Sequence, residues 1–178
     1  MTPRAVALVV LLTAFLSIAA AAPASVSVSQ LGRIDHVADG DTVDLTNGEK
    51  VRLVQIDTPE VYFSPECYGP QASKVTKRLL PPGTLVRLTP EPATDSVDRY
   101  GRLLRYVVRV KDGLNVNVQL VRIGAAAPYY YDGRRGRYAR RLDRLAGRAR
   151  ARHLGLWGAC PGTPYDPDRG VATGALRP

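Results

Sequence analysis

The segment TVDLTNGEKVRLVQIDTPE, residues 42–60, constrains the fold more than any other part of the chain. Val43 and Leu45 alternate with Asp44 and Thr46, the period of a half-buried strand. Asn47-Gly48 is the strongest short hairpin signal available, because both residues tolerate the positive φ that tight reversals need. The returning strand, Val51 to Ile56, then delivers the chain to Asp57-Thr58-Pro59-Glu60. A residue before proline is pushed out of the helical region, and proline has no N–H to give a ladder, so the strand must end at this corner. Two carboxylates three residues apart therefore sit where a strand runs out. Asp, Thr and Pro all favour turns, so the corner reads either as a plain turn or as half of a cation site. Arg52 and Asp57 are five apart, which strict alternation sends to opposite faces. They share a site only if a bulge intervenes or the strand stops before Asp57.

The rest of the chain supplies more strands and three helices. Alternating stretches run from Val26 to Val37, over 84–89 and over 102–110, where Leu104, Tyr106, Val108 and Val110 alternate with Arg105 and Arg109. Pro70 suits a first helical position, Ala72, Val75 and Leu79 follow at helical spacing, and Pro81-Pro82-Gly83 ends that helix. A short helix is expected over Val116–Ile123, stopping at Gly124. A longer one carries Tyr138, Leu142, Leu145 and Ala149 as a narrow apolar stripe. Five strands with no βαβ repeat point to an α+β domain: a five-stranded antiparallel OB-type Greek-key barrel with three helices, spanning residues 25–160. Trp157 is expected to anchor its end. Residues 161–178 are rich in Pro and Gly with little to bury, and are expected to be a loose tail.

Residues 1–24 have the layout of a secretory signal peptide: Arg4, an uncharged apolar run over 5–22, and A-x-A endings near 22 and 24. The competing reading is a retained membrane anchor through residues 5–22. A secreted chain makes Cys67 and Cys160, its two cysteines, candidates for a disulfide. The two histidines, His36 and His153, are too few and too far apart for a zinc site. The formal net charge is +9, and residues 134–152 hold nine arginines against one acid, Asp143. Such a concentrated field attracts polyanions, nucleic acid or an acidic cell surface, unless it is simply a solubilising helix face.

Four short pieces carry the chemistry: ADGDTV (38–43), VRL (51–53), IDTPE (56–60) and DRYGRLLRY (98–106). Asp41, Asp57 and Glu60 are hard oxygen donors of the kind that suits Ca²⁺ or Mg²⁺. Arg52 and Arg102 can each grip a phosphate with two parallel N–H donors. Phosphoryl transfer needs this combination of cation site, water-positioning carboxylate and fixed positive charge. Singly, each piece is an ordinary turn or strand edge.

Together with YGPQAS, NVQLVRIGAA and LGLW, these pieces resemble, in order and spacing, the staphylococcal nuclease or thermonuclease family from about Gly32 to Trp157. The resemblance implies an OB barrel that hydrolyses DNA and RNA with Ca²⁺, cleaving the 5′ P–O bond to leave 3′-phosphates. It implies Asp41, Asp57 and the Thr58 carbonyl as Ca²⁺ ligands, and Glu60 as the group that orients or deprotonates water. Arg52 and Arg102 would hold the phosphate, with Arg99 and Tyr100 on its 3′ side. APYYYDG (127–133) roughly matches a pocket segment, in which Tyr130 is assigned to the substrate, with core packing as the alternative reading for any one of the three tyrosines. The loop before Tyr68 is shorter than in the type enzyme, and a Cys67–Cys160 bridge would pin it beside the site. The expected protein is thus a secreted, monomeric nuclease with no stable protein partner and no membrane span after cleavage. The alternatives are a catalytically weak nucleic-acid-binding OB module and a surface-anchored polyanion binder working through residues 134–152.

Overall fold

The computed structural model describes residues 28–174. The segment read as a signal peptide lies outside the described residues. In chain order the elements are β1 (Gln30–Val37), β2 (Thr42–Leu45), β3 (Lys50–Leu53), β4 (Ile56–Asp57), α1 (Gly69–Leu79), β5 (Leu85–Pro90), β6 (Leu103–Arg109), α2 (Val116–Arg122), β7 (Ala127–Pro128), α3 (Ala139–Ala151) and α4 (Leu156–Ala159). No helix among the described residues is long and apolar enough to cross a membrane.

Strands β1, β2, β3, β6 and β5 close into a barrel in that order. The hairpin pairs Thr42 with Arg52 and Val43 with Val51, turning through Gly48 at φ 86°. One expectation needs correction: the barrel is not wholly antiparallel, because β3 and β6 run parallel, Arg52 opposite Leu104. A parallel pair needs a long crossover, and the segment with α1 and β5 supplies it. Alternation along a strand says which face is buried but not which neighbour it meets. The barrel interior is apolar, with Ile34, Val43, Val51, Leu53, Val86, Leu88 and Val107 buried. Below it α2 packs on α3 and β6. Asn117 on α2 is fully buried and paired on both ends: its Oδ1 accepts from the Val107 N–H and its Nδ2 donates to the Val54 carbonyl.

Residues 161–174, the described part of the expected loose tail, are docked on the domain. The Cys67–Cys160 disulfide is formed. After it, Tyr165 stacks edge-on against Trp157, and the Pro167 carbonyl accepts from the Tyr130 N–H at 2.6 Å. The Gly174 carbonyl accepts from the Cys67 N–H at 2.9 Å. Two aromatic rings and backbone pairing dock what composition alone marks as linker.

Glu91, at the end of β5, fixes the entry to α3. Its buried carboxylate accepts from the N–H groups of Ala93 (3.1 Å) and Arg137 (2.8 Å), and from the Arg137 side chain (3.2 Å). Burial pushes this carboxyl up, but the hydrogen bonds prevail and hold it below the usual glutamate range. A carboxyl depressed in the folded state stabilises above its unfolded value and loses that contribution as the pH falls through the folded one. Glu91→Gln is therefore expected to lose about 1–3 kcal/mol at pH 7. Urea unfolding at stepwise lower pH should show the gap to wild type closing below the normal glutamate range.

Candidate active site

The opening corner resolves in an unexpected way. Strand β3 ends at Leu53, before any influence of Pro59, and Gln55 takes a left-handed φ of 66°. That turn breaks the alternation and swings Asp57 onto the same side as Arg52. Gln55 is buried, and its side chain spans the site's floor: Nε2 donates to the Arg134 carbonyl (2.8 Å) and Oε1 accepts from the Gly136 N–H (2.6 Å). Those bonds compensate a left-handed, non-glycine residue whose backbone is intrinsically unfavourable.

Arg52 lies between two carboxylates. Its Nη1 is 2.8 Å from Asp41 Oδ2 and its Nη2 is 2.7 Å from Asp57 Oδ1. Asp41 reaches this position because Asp39 caps the preceding turn, its Oδ1 accepting from the N–H groups of Asp41 and Thr42. Helix α1 holds the same turn through Thr76, whose hydroxyl donates to the Gly40 carbonyl at 2.6 Å. Thr58 is buried and clamps Asp41, donating from its N–H (2.8 Å) and hydroxyl (2.9 Å). Glu60 is exposed on the rim just beyond. Burial, then the charges of Asp57 and Asp39, push its carboxyl above the ordinary range.

Arg102 approaches from the start of β6. Asp98 holds it with a 2.7 Å bond to Nε, and its Nη1 reaches the Thr42 hydroxyl at 3.4 Å. Tyr100 is exposed with the Arg99 guanidinium 4.8 Å and that of Arg102 5.2 Å from its ring centre. Arg52, Arg99, Tyr100 and Arg102 line one cleft of about 360 Å³. Its opposite wall is Tyr129, Tyr131 and Arg134. Tyr130, expected at the substrate, does not line it: its ring is fully buried, and its hydroxyl donates to Asp143 (2.8 Å) or the Ala139 carbonyl (3.0 Å). Tyr130 lies between the end of β7 and a short 3₁₀ turn over Tyr131–Gly133, and its ring turns into the core while Tyr129 and Tyr131 line the cleft.

The donor set fits a hard divalent cation. Asp39, Asp41, Asp57 and Glu60 all act on the single guanidinium of Arg52, so acids outnumber the base there. Burial pushes Asp41 up to about 7, with Asp57 and Asp39 adding to the rise against Arg52. A cation relieves that excess. Among the described residues no three His, Cys, Asp or Glu side chains form a metal-holding group. Asp41 and Asp57 are thus the carboxylates on offer, with carbonyl, water or phosphate oxygens to complete a shell, as such cations accept.

Sequence reasoning picked out Asp41, Arg52, Asp57, Thr58 and Arg102, and these residues meet. It left Gln55, Asp98 and Asp39 unassigned. A polar residue inside VQI, and an acid four before Arg102, were the available signals.

Fold and site together define an OB-barrel domain of nuclease type. A family described as staphylococcal nuclease homologue matches residues 50–159. The chain is 36% identical to the endonuclease YhcR of Bacillus subtilis over 121 residues, 61% of this chain and 10% of the relative. It is 34% identical to the prophage-derived endonuclease YokF of the same species over 143 residues, 77% and 46% of the two chains. With the thermonuclease of Staphylococcus intermedius it shares 31% identity over 130 residues, 70% and 74%. The chain belongs to the staphylococcal nuclease family. It spans a tenth and less than half of the first two relatives, respectively. The family match begins after Asp41, and barrel closure is what joins β1, β2 and that carboxylate to the rest.

Tyr130→Phe is expected to cost about 1–2 kcal/mol of stability, since it strips a buried hydroxyl from Asp143, and to leave binding of a short DNA strand unchanged. Tyr131→Ala is expected to do the reverse. Thermal melts and fluorescence anisotropy on both variants separate the two roles.

Proposed function

We propose that this chain is a secreted, Ca²⁺-dependent nuclease that hydrolyses phosphodiester bonds of DNA and RNA with little sequence specificity, leaving 3′-phosphates. The observation that carries the reading is the convergence of Arg52 and Arg102 on one cleft beside Asp41, Asp57 and Glu60. Secretion is supported by the apolar N-terminal run and by the Cys67–Cys160 bridge, which suits an oxidising compartment.

Asp41, Asp57 and the Thr58 carbonyl would hold the cation, which when bound supplies Lewis-acid polarisation of a phosphate oxygen. The chain's own groups do the rest. Arg52 and Arg102 bind the non-bridging oxygens, and because both are already oriented by carboxylates they need little reorganisation as negative charge builds on phosphorus. Asp98 and Thr42 aim Arg102. Glu60 takes a proton from the attacking water; the new bond forms from water oxygen to phosphorus, the P–O5′ bond breaks, and the 5′ oxygen gains a proton. One fragment keeps the 3′-phosphate and the other leaves as a 5′-alcohol. Arg99 and Tyr100 hold the 3′ side, while Tyr129 and Tyr131 offer ring faces to a sugar or base. The Gln55 amide, which could read a base edge, is committed to the Arg134 carbonyl and the Gly136 N–H, so base contact falls to the tyrosine ring faces, which favours low sequence specificity.

The exposed arginines of α3, among them Arg141, Arg144 and Arg148, extend the positive field away from the cleft. They draw long polyanions toward the domain without entering the chemistry. The substrate partner is therefore a nucleic acid, and the protein acts as a monomer.

Arg102→Ala is expected to lower the cleavage rate on heat-denatured DNA by roughly 10²–10³-fold while binding persists. Chelation should stop the wild type, and end-labelling should find 3′-phosphates. A wild type that binds DNA but cuts with no divalent cation overturns the enzyme reading in favour of a binding module. Replacing Arg141, Arg144 and Arg148 by Gln should flatten the salt dependence of DNA binding by about 2 in the log–log slope, with the rate at saturating substrate unchanged.

A further inference from the structure

The segment after α4 lies beyond the family match, which ends at residue 159. It leaves the domain at Cys160 and comes back to Cys67, the two residues joined by the disulfide. Near its start the Thr163 hydroxyl donates to the Cys160 carbonyl at 2.7 Å. Tyr165 then packs on Trp157, with the Arg150 guanidinium 4.9 Å from the Tyr165 ring centre and 5.5 Å from that of Trp157. Pro167 pairs its carbonyl with Tyr130, and a tight turn closes between Asp166 and Gly170. The return leg ends with the Thr173 hydroxyl donating to the Cys67 carbonyl at 2.7 Å. Both ends of this strap are therefore anchored at one covalent point.

Between its anchors the strap touches Asp57. The Val171 N–H donates to Asp57 Oδ2 at 2.8 Å, while Arg52 occupies Oδ1 from the other side. Each carboxylate oxygen thus has a directed donor, so the plane of the carboxylate is set. Gly170 makes the approach possible. Its φ is 80°, and a Cβ there would lie 2.7 Å from Asp57 Oδ2 and 3.5 Å from the Tyr129 ring. A residue with a side chain could not bring the backbone this close.

We propose that the strap, through the Val171 N–H, is a positioning element for Asp57, presetting the carboxylate in the orientation that takes up the divalent cation. The inference rests on the reading of Asp57 as a cation ligand. It assigns to the C-terminal strap a share of the site's affinity for Ca²⁺, in the way that outer hydrogen-bond partners orient metal-binding side chains generally. Val171 acts on the site through Asp57, the carboxylate that its N–H contacts. The disulfide contributes by keeping the two anchors together, so that the strap is held at the site in the absence of substrate.

The test is Ca²⁺ titration by isothermal calorimetry, with no substrate present, on the full chain, on Val171→Pro and on a chain ending at Pro167. Proline removes the N–H but also fixes its own φ and restricts Gly170, so the shortened chain serves as the second variant: it lacks the N–H without a proline and keeps Tyr165 on Trp157 and the Pro167 carbonyl on Tyr130. Both are expected to bind Ca²⁺ about tenfold more weakly, at a temperature far below their melting points. Val171→Ala, which retains the N–H, is expected to bind as the wild type does. Equal affinity in all four proteins overturns the positioning role and leaves the strap a structural clamp. Tighter binding in the shortened chain also overturns it, since the strap would then be covering the site. A wild type that takes up no Ca²⁺ overturns this inference together with the ligand assignment of Asp57, an outcome distinct from the other two.

Discussion

The guanidinium of Arg52, held between Asp41 and Asp57, is the interaction on which the rest of the site depends. It joins β2, β3 and β4 at the point where the barrel wall opens. Asp41 is nearly inaccessible, and a buried carboxylate is tolerable only when its oxygens are filled. Arg52 and the two Thr58 donors fill Oδ2, and Oδ1 meets the Thr42 hydroxyl at 3.4 Å. The surrounding fold supplies what those three residues need: a barrel that sets Thr42 opposite Arg52, a helix that grips the Gly40 carbonyl, and a left-handed Gln55 that returns Asp57 to the right face. Acids still exceed bases around that guanidinium, and this residual negative field makes the cluster more than a structural ion pair.

The second arginine is organised independently. Arg102 comes from β6, which is brought alongside β3 by the parallel closure of the barrel, and Asp98 orients it within its own turn. Two guanidiniums from strands far apart in sequence consequently border one cleft. The opposite wall reaches the same cleft through Gln55, whose side chain grips the backbone around Arg134 and Gly136. Corner, cleft wall and entry to α3 are therefore mechanically one unit. The disulfide adds a third tie, from the loop after Glu60 to the end of the domain.

Much of this was legible in the order of residues. Hairpin, helices and the five-stranded barrel follow from alternation, helical spacing and Asn-Gly, because those signals are local. Asp41, Arg52, Asp57, Glu60 and Arg102 were legible as a set, since hard donors and guanidines rarely occur together at strand ends. The pocket tyrosine was misread at Tyr130, because which member of YYY faces inward depends on the register of β4 against β7, not on composition. The tail was misread as loose for a related reason. Tyr165 and Val171 are too few to suggest a core of their own, and they are half-buried only because Trp157, Asp57 and Cys67 already stand in place.

By itself the sequence determined the barrel class, the chemistry of the site and the identity of its principal residues, because each of these is written in patterns a few residues long. Tertiary structure alone decided that β3 meets β6 in parallel, that Gln55 turns left-handed to bring Asp57 onto Arg52, and that Val171 closes on the same carboxylate. Those outcomes depend on contacts between residues tens of positions apart. Such contacts form only after the chain has closed, when burial leaves each charged group a single set of partners that satisfies it.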